Sequence, residues 1–301
     1  MTERRVVFGL GSNLGSRASL LRAAADLIAA THGLTLVGRS RIFETPPIGP
    51  AQPDYMNAAL CVHTALPAPE LLNIALSIEQ RLGRERRQRW GARTLDIDIL
   101  WIDGESFSNA SLTVPHPELL ERAFALAPLL DVAADARDPR TNAALATRLE
   151  ALAPASPFTS FAWTDHVEAT LTDTFSGCLS VQARNRADLL AAASEAVAAR
   201  IVDPADVSAR VVTPLELLLA AGEDAPHRLT AWLSLVLSEL AARPFAVRRA
   251  VLFEDAPALI RGALIGEALD PSRHHVRQVP GRASVERIDS TLDWHADVTL
   301  E

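Results

Sequence analysis

The chain has 301 residues, a net charge of −8 and 49% apolar residues, which suits two globular domains better than one. Its 29 lysine and arginine residues are all arginine, so lysine-dependent chemistry such as a Schiff-base mechanism is excluded. The acidic balance without a long basic tract argues against a nucleic-acid partner. The absence of a long apolar run argues against a membrane partner and against a secretory signal.

The two cysteines, Cys61 and Cys178, show no metal-binding spacing. We predict that both are buried thiols in a reducing compartment, and therefore that the protein is cytoplasmic.

The first predicted elements are a strand over residues 5–10, a turn rich in Gly, Ser and Asn over 11–16, and a helix over 17–30. A strand, a Gly-rich turn and a helix could cradle phosphate. The turn matches neither a Walker loop nor a dinucleotide fingerprint, so a plain turn is the simpler interpretation.

A proline-rich loop over residues 43–59 ends in the chain's single tyrosine, Tyr55, and in Asn57. Consecutive prolines hold the backbone extended. A ring and an amide on a stiff loop suit a flat heterocycle, although the loop could also be only a rigid connector.

Residues 93–101 alternate apolar and polar side chains, which predicts a half-buried strand. Asp96 and Asp98 would share one face, opposite Leu95, Ile97, Ile99 and Trp101. Two adjacent carboxylates favour a magnesium ion, and the neighbouring arginines, including Arg84, Arg86, Arg87, Arg89 and Arg93, suit phosphate oxygens. The alternative is an exposed acidic strand face paired with a basic helix.

Downstream, His116 lies between two prolines and Arg122 follows in a predicted helix. A lone histidine is more often structural than catalytic, but this one follows a strand that carries two aspartates.

Together these segments resemble the 6-hydroxymethyl-7,8-dihydropterin pyrophosphokinase family, an enzyme family of folate biosynthesis. The matching motifs are GLGSNLG at residues 9–15, TPP at 45–47 through Asn57, RWGARTLDID at 89–98, and VPH at 114–116 through Phe124. Their order and spacing agree over residues 1 to about 135.

The resemblance implies an α+β fold, with a ferredoxin-like αβα first domain. It implies that Asp96 and Asp98 bind two magnesium ions that bridge ATP phosphates, and that Arg84 and Arg93 join them as catalytic residues.

The same resemblance implies two substrate sites. The pterin pocket would be lined by Thr45, Pro46, Ile48, Tyr55, Asn57 and Phe124, with the two aromatic rings sandwiching the pterin. The nucleotide site would be formed by Glu79, Arg84, Arg86, Arg89, Trp90, Arg93, His116 and Arg122. One departure is visible: a glutamine that the family often carries three residues before Glu79 is Leu76 here.

The implied reaction is attack of the substrate hydroxymethyl oxygen on the β-phosphorus of ATP, which releases AMP and forms the pterin diphosphate. Positioning and metal electrostatics would supply most of the rate acceleration. No dedicated general base stands out; a metal-bound aspartate or a metal-polarised hydroxyl could suffice.

The second half predicts another α+β domain. Strands are expected over residues 177–183, 246–254, 259–269 and 284–300, and helices over 186–200, after Thr213-Pro214, and over 229–242. Asn185 is a candidate cap of the first of these helices.

The order of these elements resembles the archease family, whose members assist RNA ligases, over residues from about 160 to 301. The family's metal-binding acid falls near Ser176 and a family histidine near Arg282, while Glu301 replaces a terminal aspartate, so the metal site is incomplete. Three roles stay open: a second folate-pathway activity using Glu267, His274, His275 or Glu301, assistance to an RNA ligase, or a structural role that leaves room for a homodimer. The alternative for Glu267 and the two histidines is a polar loop beside a strand.

We place the domain boundary near residue 155. The pyrophosphokinase domain then spans residues 1–155, and the archease-like domain spans 156–301.

Overall fold

The computed structural model describes residues 2–85, 91–152, 158–163, 167–173, 178–220, 222–277, 280–289 and 294–300. The chain divides into two compact units. One comprises residues 1–17 and 24–163, and the other comprises 18–23 and 164–301. The predicted boundary near residue 155 lies outside the described residues.

The first unit is built on a sheet whose described strand pairs are all antiparallel, together with helices. Its strands are β1 (Arg4–Ser12), β2 (Thr35–Arg39), β3 (Ile42–Thr45), β4 (Tyr55–Thr64), β5 (Asp96–Ile102), β6 (Phe107–Ser108), β7 (Thr113–Val114) and β8 (Thr159–Phe161). Its helices are α2 (Ala68–Arg81), α3 (Ala123–Val132) and α4 (Leu145–Ala151), together with those residues of α1 (Arg17–Ala29) that lie outside 18–23. The main sheet has the order β5-β1-β4-β3-β8, and β2 also pairs with β4.

Antiparallel pairing brings the chemistry-bearing ends of these strands together. β1 lies between β4 and β5, with Gly11 opposite both Asn57 and Asp96. β3 pairs with β4 so that Thr45 lies opposite Tyr55. Asn57 and Asp96 therefore lie at the same end of the strands, on either side of Gly11.

The core of the first unit lies between its sheet and α3. Strand residues such as Val7 and Trp101 pack with Leu126 and Leu129 of α3 and with Leu145 of α4. Burying such side chains contributes roughly 1.5–3 kcal/mol each. The predicted alternation is confirmed at the start of β5, where Ile97 and Ile99 are buried while Asp96 and Asp98 are only partly so.

The second unit has two sheets and two long helices. Its strands are β9 (Val167–Asp173), β10 (Cys178–Ala183), β11 (Val211–Leu218), β12 (Phe245–Ala256), β13 (Leu259–Ala268), β14 (Ala283–Asp289) and β15 (Trp294–Leu300), and its helices are α5 (Arg186–Ala199) and α6 (Ala225–Ala242). The sheet orders are β14-β15-β10-β9 and β11-β13-β12. The buried Trp232 of α6 donates its indole N–H to Ser194 Oγ at 2.9 Å in the core of the unit.

Local sequence signals explain both helices of this unit. The predicted cap is confirmed, because Asn185 Oδ1 accepts the Asp188 N–H at 2.9 Å. Asp224 caps α6 by accepting the His227 N–H at 2.9 Å.

Three predictions for the second half are wrong. The residues around Thr213-Pro214 form strand β11, not the start of a helix. β11 is an edge strand, where proline is tolerated because its missing N–H need not reach a second neighbour. Residues 284–300 form the paired strands β14 and β15, not one strand. Cys61 is buried as predicted, but Cys178, at the start of β10, is partly exposed.

Within the part of the chain that the structure describes, no helix combines the length and the apolar character needed to cross a membrane.

Candidate active site

A cavity of about 320 Å³ opens in the first unit where β1, β4 and β5 meet the loop after β3. Its walls come from five separate stretches of sequence. The residues that line it are Gly9, Leu10, Gly11, Thr45, Pro46, Ile48, Gln52, Tyr55, Asn57, Ala58, Arg84, Arg93, Asp96, Asp98, Leu100, His116, Glu118, Arg122, Phe124 and Ala125.

The acidic side of the cavity is formed by Asp96 and Asp98 of β5. Burial, then the negative charges of Asp96 and Glu79, raise the pKa of Asp98 to about 7. Burial is the largest cause, and the two neighbouring carboxylates add to it. A carboxylate in that setting favours either a proton or a cation.

Two arginines meet Asp96 at this side. Arg84 and Arg93 each place a guanidinium nitrogen 2.7 Å from a different Asp96 oxygen. These contacts match part of the alternative interpretation, an acidic strand paired with basic residues. The cavity wall distinguishes the site from an exposed ion-paired face, because both arginines and both aspartates line the same space.

Glu79 lies on α2, behind this cluster rather than among the residues that line the cavity. It is 2% exposed, it accepts the Ile97 N–H at 2.7 Å, and it forms an ion pair with Arg84. Burial raises its pKa. Glu79 therefore ties α2 to the backbone between the two aspartates and orients Arg84.

The opposite side of the cavity carries the amide and the rings. Asn57 donates its side-chain N–H to Thr45 Oγ1 at 2.8 Å, which fixes the amide and leaves its oxygen near β1. A Cβ on Gly11 would lie 3.2 Å from that oxygen. Glycine at this position keeps the space in front of the amide open. Burial raises the pKa of the Tyr55 hydroxyl beside it.

One asparagine links the two sides. Asn13 Oδ1 accepts the Arg93 N–H at 2.8 Å, while its amide nitrogen donates to Gln52 Oε1 and to the Pro53 carbonyl, both at 3.1 Å. The segment that carries Arg93 and the proline-rich loop are thereby joined through a single side chain.

His116 lies at a third wall, next to Arg122. The Glu118 N–H donates to His116 Nδ1 at 3.2 Å, so the neutral ring carries its proton on Nε2. Burial, and then the charge of Arg122, lower the pKa of His116. The ring is therefore a neutral donor at pH 7. Arg122 pairs with Glu118 and stacks 5.6 Å from the Phe124 ring centroid.

Comparison with known proteins shows which family the first part of the chain is similar to. The model of the family "7,8-dihydro-6-hydroxymethylpterin-pyrophosphokinase (HPPK)" matches residues 7–134. A Methylorubrum extorquens protein named 2-amino-4-hydroxy-6-hydroxymethyldihydropteridine pyrophosphokinase is 45% identical over 132 residues, which are 44% of this chain and 84% of the relative. The chain belongs to the 6-hydroxymethyl-7,8-dihydropterin pyrophosphokinase family.

Further relatives with the same name agree. The Synechocystis protein is 38% identical over 48% of this chain and 74% of its own length, and the Bacillus subtilis protein is 41% identical over 44% and 81%. A solved Plasmodium falciparum HPPK-DHPS structure aligns with 50% of this chain and 44% of its own at a TM-score of 0.41 and 13% identity, too weak a likeness to show a shared fold. The predicted family and the predicted enzyme, a 2-amino-4-hydroxy-6-hydroxymethyldihydropteridine diphosphokinase, are confirmed.

The structure brings most of the predicted pyrophosphokinase site residues to one cavity. The predicted pterin residues that line it are Thr45, Pro46, Ile48, Tyr55, Asn57 and Phe124, and the predicted nucleotide and metal residues that line it are Arg84, Arg93, Asp96, Asp98, His116 and Arg122. Glu79 lies one layer behind. Arg86, Arg89 and Trp90 lie outside the described residues, as does Arg87. Their roles stay predictions.

Sequence reasoning missed three polar residues of the site. Asn13 belongs to the GLGSNLG motif but was given no role, Gln52 lies in the proline-rich loop, and Glu118 follows His116 by two residues. A polar side chain beside each predicted ligand was the only available signal. Their partners lie 2 to 80 residues away along the chain.

The donor set fits a magnesium ion shared with a nucleotide. Among the described residues, no group of three or more His, Cys, Asp or Glu side chains is placed to hold a metal ion. Asp96 and Asp98 offer hard oxygen ligands, and the pKa of Asp98 is raised by burial and then by the repulsion of Asp96 and Glu79, which a divalent cation would relieve. Two carboxylates with phosphate oxygens and water are a common magnesium arrangement.

The candidate residues of the second unit form a different kind of cluster. Glu267 is 6% and His274 2% exposed. Glu267 accepts the Ser208 N–H at 2.9 Å and pairs with Arg273 at 3.2 Å, and His274 Nε2 lies 3.4 Å from the same carboxylate. His275 is exposed, and Glu301 and Ser176 lie outside the described residues.

Proposed function

We propose that this chain transfers the pyrophosphoryl group of ATP to the hydroxymethyl group of 6-hydroxymethyl-7,8-dihydropterin. The substrate oxygen forms a bond to the β-phosphorus, the bond from that phosphorus to the α,β-bridging oxygen breaks, and AMP leaves with that oxygen. The hydroxyl proton is released, and the products are AMP and the pterin diphosphate. The observation that carries this proposal is the cavity itself, whose opposite walls are suited to a heterocycle and to a metal-bound triphosphate.

The heterocycle would bind at the wall formed by Thr45, Tyr55, Asn57 and Phe124. An amide held by Thr45 offers an oriented acceptor to the ring edge. The two aromatic side chains offer flat apolar surface on which the pterin ring can stack. Pro46 and Ile48 complete this wall.

The triphosphate would bind at the wall formed by Arg84, Arg93, His116 and Arg122. Guanidinium groups recognise phosphate oxygens through paired charge-assisted hydrogen bonds. The neutral His116 ring, with its Nε2 proton free of the Glu118 contact, can donate to a phosphate oxygen. Arg86, Arg89 and Trp90 are proposed to complete this wall.

Asp96 and Asp98 would hold two magnesium ions against the phosphates. Magnesium, when bound, would neutralise phosphate charge and polarise the β-phosphoryl group. When ATP and metal arrive, Arg84 and Arg93 would exchange Asp96 oxygens for phosphate oxygens, because both already point into the cavity. No side chain of the described cavity is assigned as a dedicated general base.

The product distribution tests the proposal. The full chain is incubated with ATP, magnesium and 6-hydroxymethyl-7,8-dihydropterin, and the phosphorus species are followed by ³¹P NMR. We expect equal amounts of AMP and pterin diphosphate. Formation of ADP and a pterin monophosphate, or AMP release that does not depend on the pterin, would contradict it.

For the second unit we propose an archease-like fold with a structural role, for which homodimerisation is the simplest form. What supports a structural role is that Glu267 and His274 are buried, and that the Glu267 carboxylate already accepts hydrogen bonds from Ser208 and Arg273. A dimer in light scattering, together with no conversion of dihydroneopterin and no faster guanylylation of an RNA ligase, is expected. Either activity would favour one of the other two roles.

We also infer a cytoplasmic location. It is supported by the two free cysteines and by substrates, ATP and a reduced pterin, that the cytoplasm supplies. Fractionation of cells that produce the chain checks it.

A further inference from the structure

We propose that residues 158–163, here called the connector segment, position the pterin wall of the cavity, with Trp163 as the anchoring residue. This inference rests on the proposed function. The family model ends at residue 134, so this segment lies beyond the part of the chain that the model matches.

The connector segment adds a strand next to the wall. β8 pairs antiparallel with β3, with Phe161 opposite Ile42, Ser160 opposite Phe43 and Thr159 opposite Glu44. β3 has four residues, and so short a strand frays readily when one of its edges is unpaired. β8 covers that edge.

Trp163 fastens the end of the segment. Its indole N–H donates to the Ser40 carbonyl at 2.5 Å, and the guanidinium of Arg39 lies 5.5 Å from its ring centroid. Ser40 in turn donates its N–H to the Ala59 carbonyl at 2.9 Å and accepts the Ala59 N–H on its Oγ at 2.8 Å. The tryptophan therefore holds Ser40, which lies two residues before β3 and is already tied to β4.

Arg41 provides a second attachment. Its guanidinium pairs with Asp131 of α3 at 2.9 Å, donates to Ser160 Oγ at 3.3 Å, and lies 5.2 Å from the Phe43 ring centroid. One side chain thus joins β3, β8 and a helix. Much of this contact is exposed to solvent, so we assign it less weight than Trp163.

β3 passes these restraints to the pterin wall. Its last residue, Thr45, lies opposite Tyr55, and Phe43 lies opposite Asn57. The Thr45 hydroxyl accepts from the Asn57 amide at 2.8 Å, so a shift of β3 would turn the amide that reads the ring. Among the described residues of the nucleotide wall, those on β5 pair with β1 and not with β3 or β8. The expected effect is therefore confined to the pterin.

The test uses the full chain with Trp163→Phe, which removes the indole N–H but keeps an aromatic ring, and Trp163→Ala, which removes both. Trp101→Phe is the matched control. Trp101 also donates its indole N–H to a backbone carbonyl of this unit, that of Arg137 at 2.7 Å, but it lies in the core beneath α3. Steady-state kinetics give KM for each substrate, and fluorescence titration gives the pterin Kd.

For Trp163→Phe we expect the pterin KM and Kd to rise on the order of fivefold, with ATP KM unchanged within about twofold. Trp163→Ala should increase the effect, and Trp101→Phe should lower thermal stability without the selective rise. No change, or equal rises for both substrates, would overturn the inference. Absence of turnover in the unmodified chain would instead contradict the proposed function.

Discussion

The two units of this protein each gather carboxylates, arginines and a histidine, but in opposite electrostatic settings. In the first unit Asp98 borders a cavity beside Asp96 and Glu79, and its pKa is raised to about 7. In the second unit Glu267 accepts hydrogen bonds from Ser208 and Arg273 and lies 3.4 Å from His274 Nε2, and its pKa is lowered despite burial. The sign of the shift separates a carboxylate whose charge is disfavoured by burial and by neighbouring carboxylates from one whose charge is stabilised by hydrogen-bond donors.

This contrast shows why residue type alone is a poor guide to chemistry. A carboxylate surrounded by donors stabilises the fold and has little left to offer a substrate. A carboxylate pushed against other carboxylates is destabilising by itself, and it is retained where a ligand or an ion completes it.

The largest expected effect comes from Asp98→Asn. Turnover should fall on the order of a thousandfold or more, because one metal ligand and its charge are lost. Pterin binding should be retained in part, since the pterin wall around Asn57 is separate from Asp98. Thermal stability without metal should rise, because a repelling charge is removed. A coupled assay measures turnover, and thermal melts measure stability. Retained turnover would contradict the contrast drawn between the two units.

Glu267→Gln is the matched substitution in the second unit, and it should act in the opposite way. Unfolding free energy should fall by about 2 kcal/mol, since the charge-assisted hydrogen bonds from Arg273 and the 3.7 Å ion pair with Arg210 are weakened. Turnover should stay within about twofold of the unmodified chain. Denaturant unfolding and the steady-state assay measure these. A thousandfold loss of turnover would place Glu267 in the chemistry.

Substitutions of Tyr55 test the pterin wall of the cavity. Tyr55→Ala should raise the pterin Kd about tenfold through loss of stacking area, while Tyr55→Phe should change it by less than about threefold. Fluorescence titration with the pterin measures the Kd. If both variants lost affinity equally, the hydroxyl and not the ring would carry the interaction.

Substitution of Asp138 should have the smallest effect on the unfolding free energy, and this effect should depend on pH. Hydrogen bonds from Arg140 lower its pKa below the ordinary 3.8. A group with a lowered folded-state pKa adds stability above the ordinary pKa, and this stability is lost as the pH falls through the folded value. Asp138→Asn should cost about 0.5–1 kcal/mol at pH 7.

The control for Asp138 is the same measurement in acid. The difference in unfolding free energy between Asp138→Asn and the unmodified chain should begin to shrink as the pH falls below the ordinary pKa of 3.8, and it should disappear below the lowered folded-state pKa. A difference that stayed constant from pH 7 to pH 3 would mean that packing, not charge, is responsible.

Alternation of residues along one strand made the two aspartates of the site predictable. Asp96 and Asp98 are two residues apart on a strand, and alternation alone places them on one face. In the second unit, the helix cap at Asn185 was also predictable, because its partner Asp188 is only three residues away. The resemblance to the pyrophosphokinase family supplied the pterin residues, and the structure places all of them at the cavity.

What could not be predicted depends on long-range pairing. Asn13 meets Arg93 across 80 residues, and β8 pairs with β3 across more than 110 residues of sequence. Pro214 carried a helix-start signal, but pairing with β13 made its segment an edge strand. Tertiary contacts overrode local propensity in each case.

Cation binding at the two aspartates tests the central claim most directly. The full chain and the Asp98→Asn variant are titrated with Mn²⁺ in the presence of α,β-methylene-ATP, and bound metal is counted by electron paramagnetic resonance. We expect two bound ions in the unmodified chain, in line with the proposed magnesium pair, and loss of at least one in the variant. Equal numbers and equal affinities in both proteins would contradict the account.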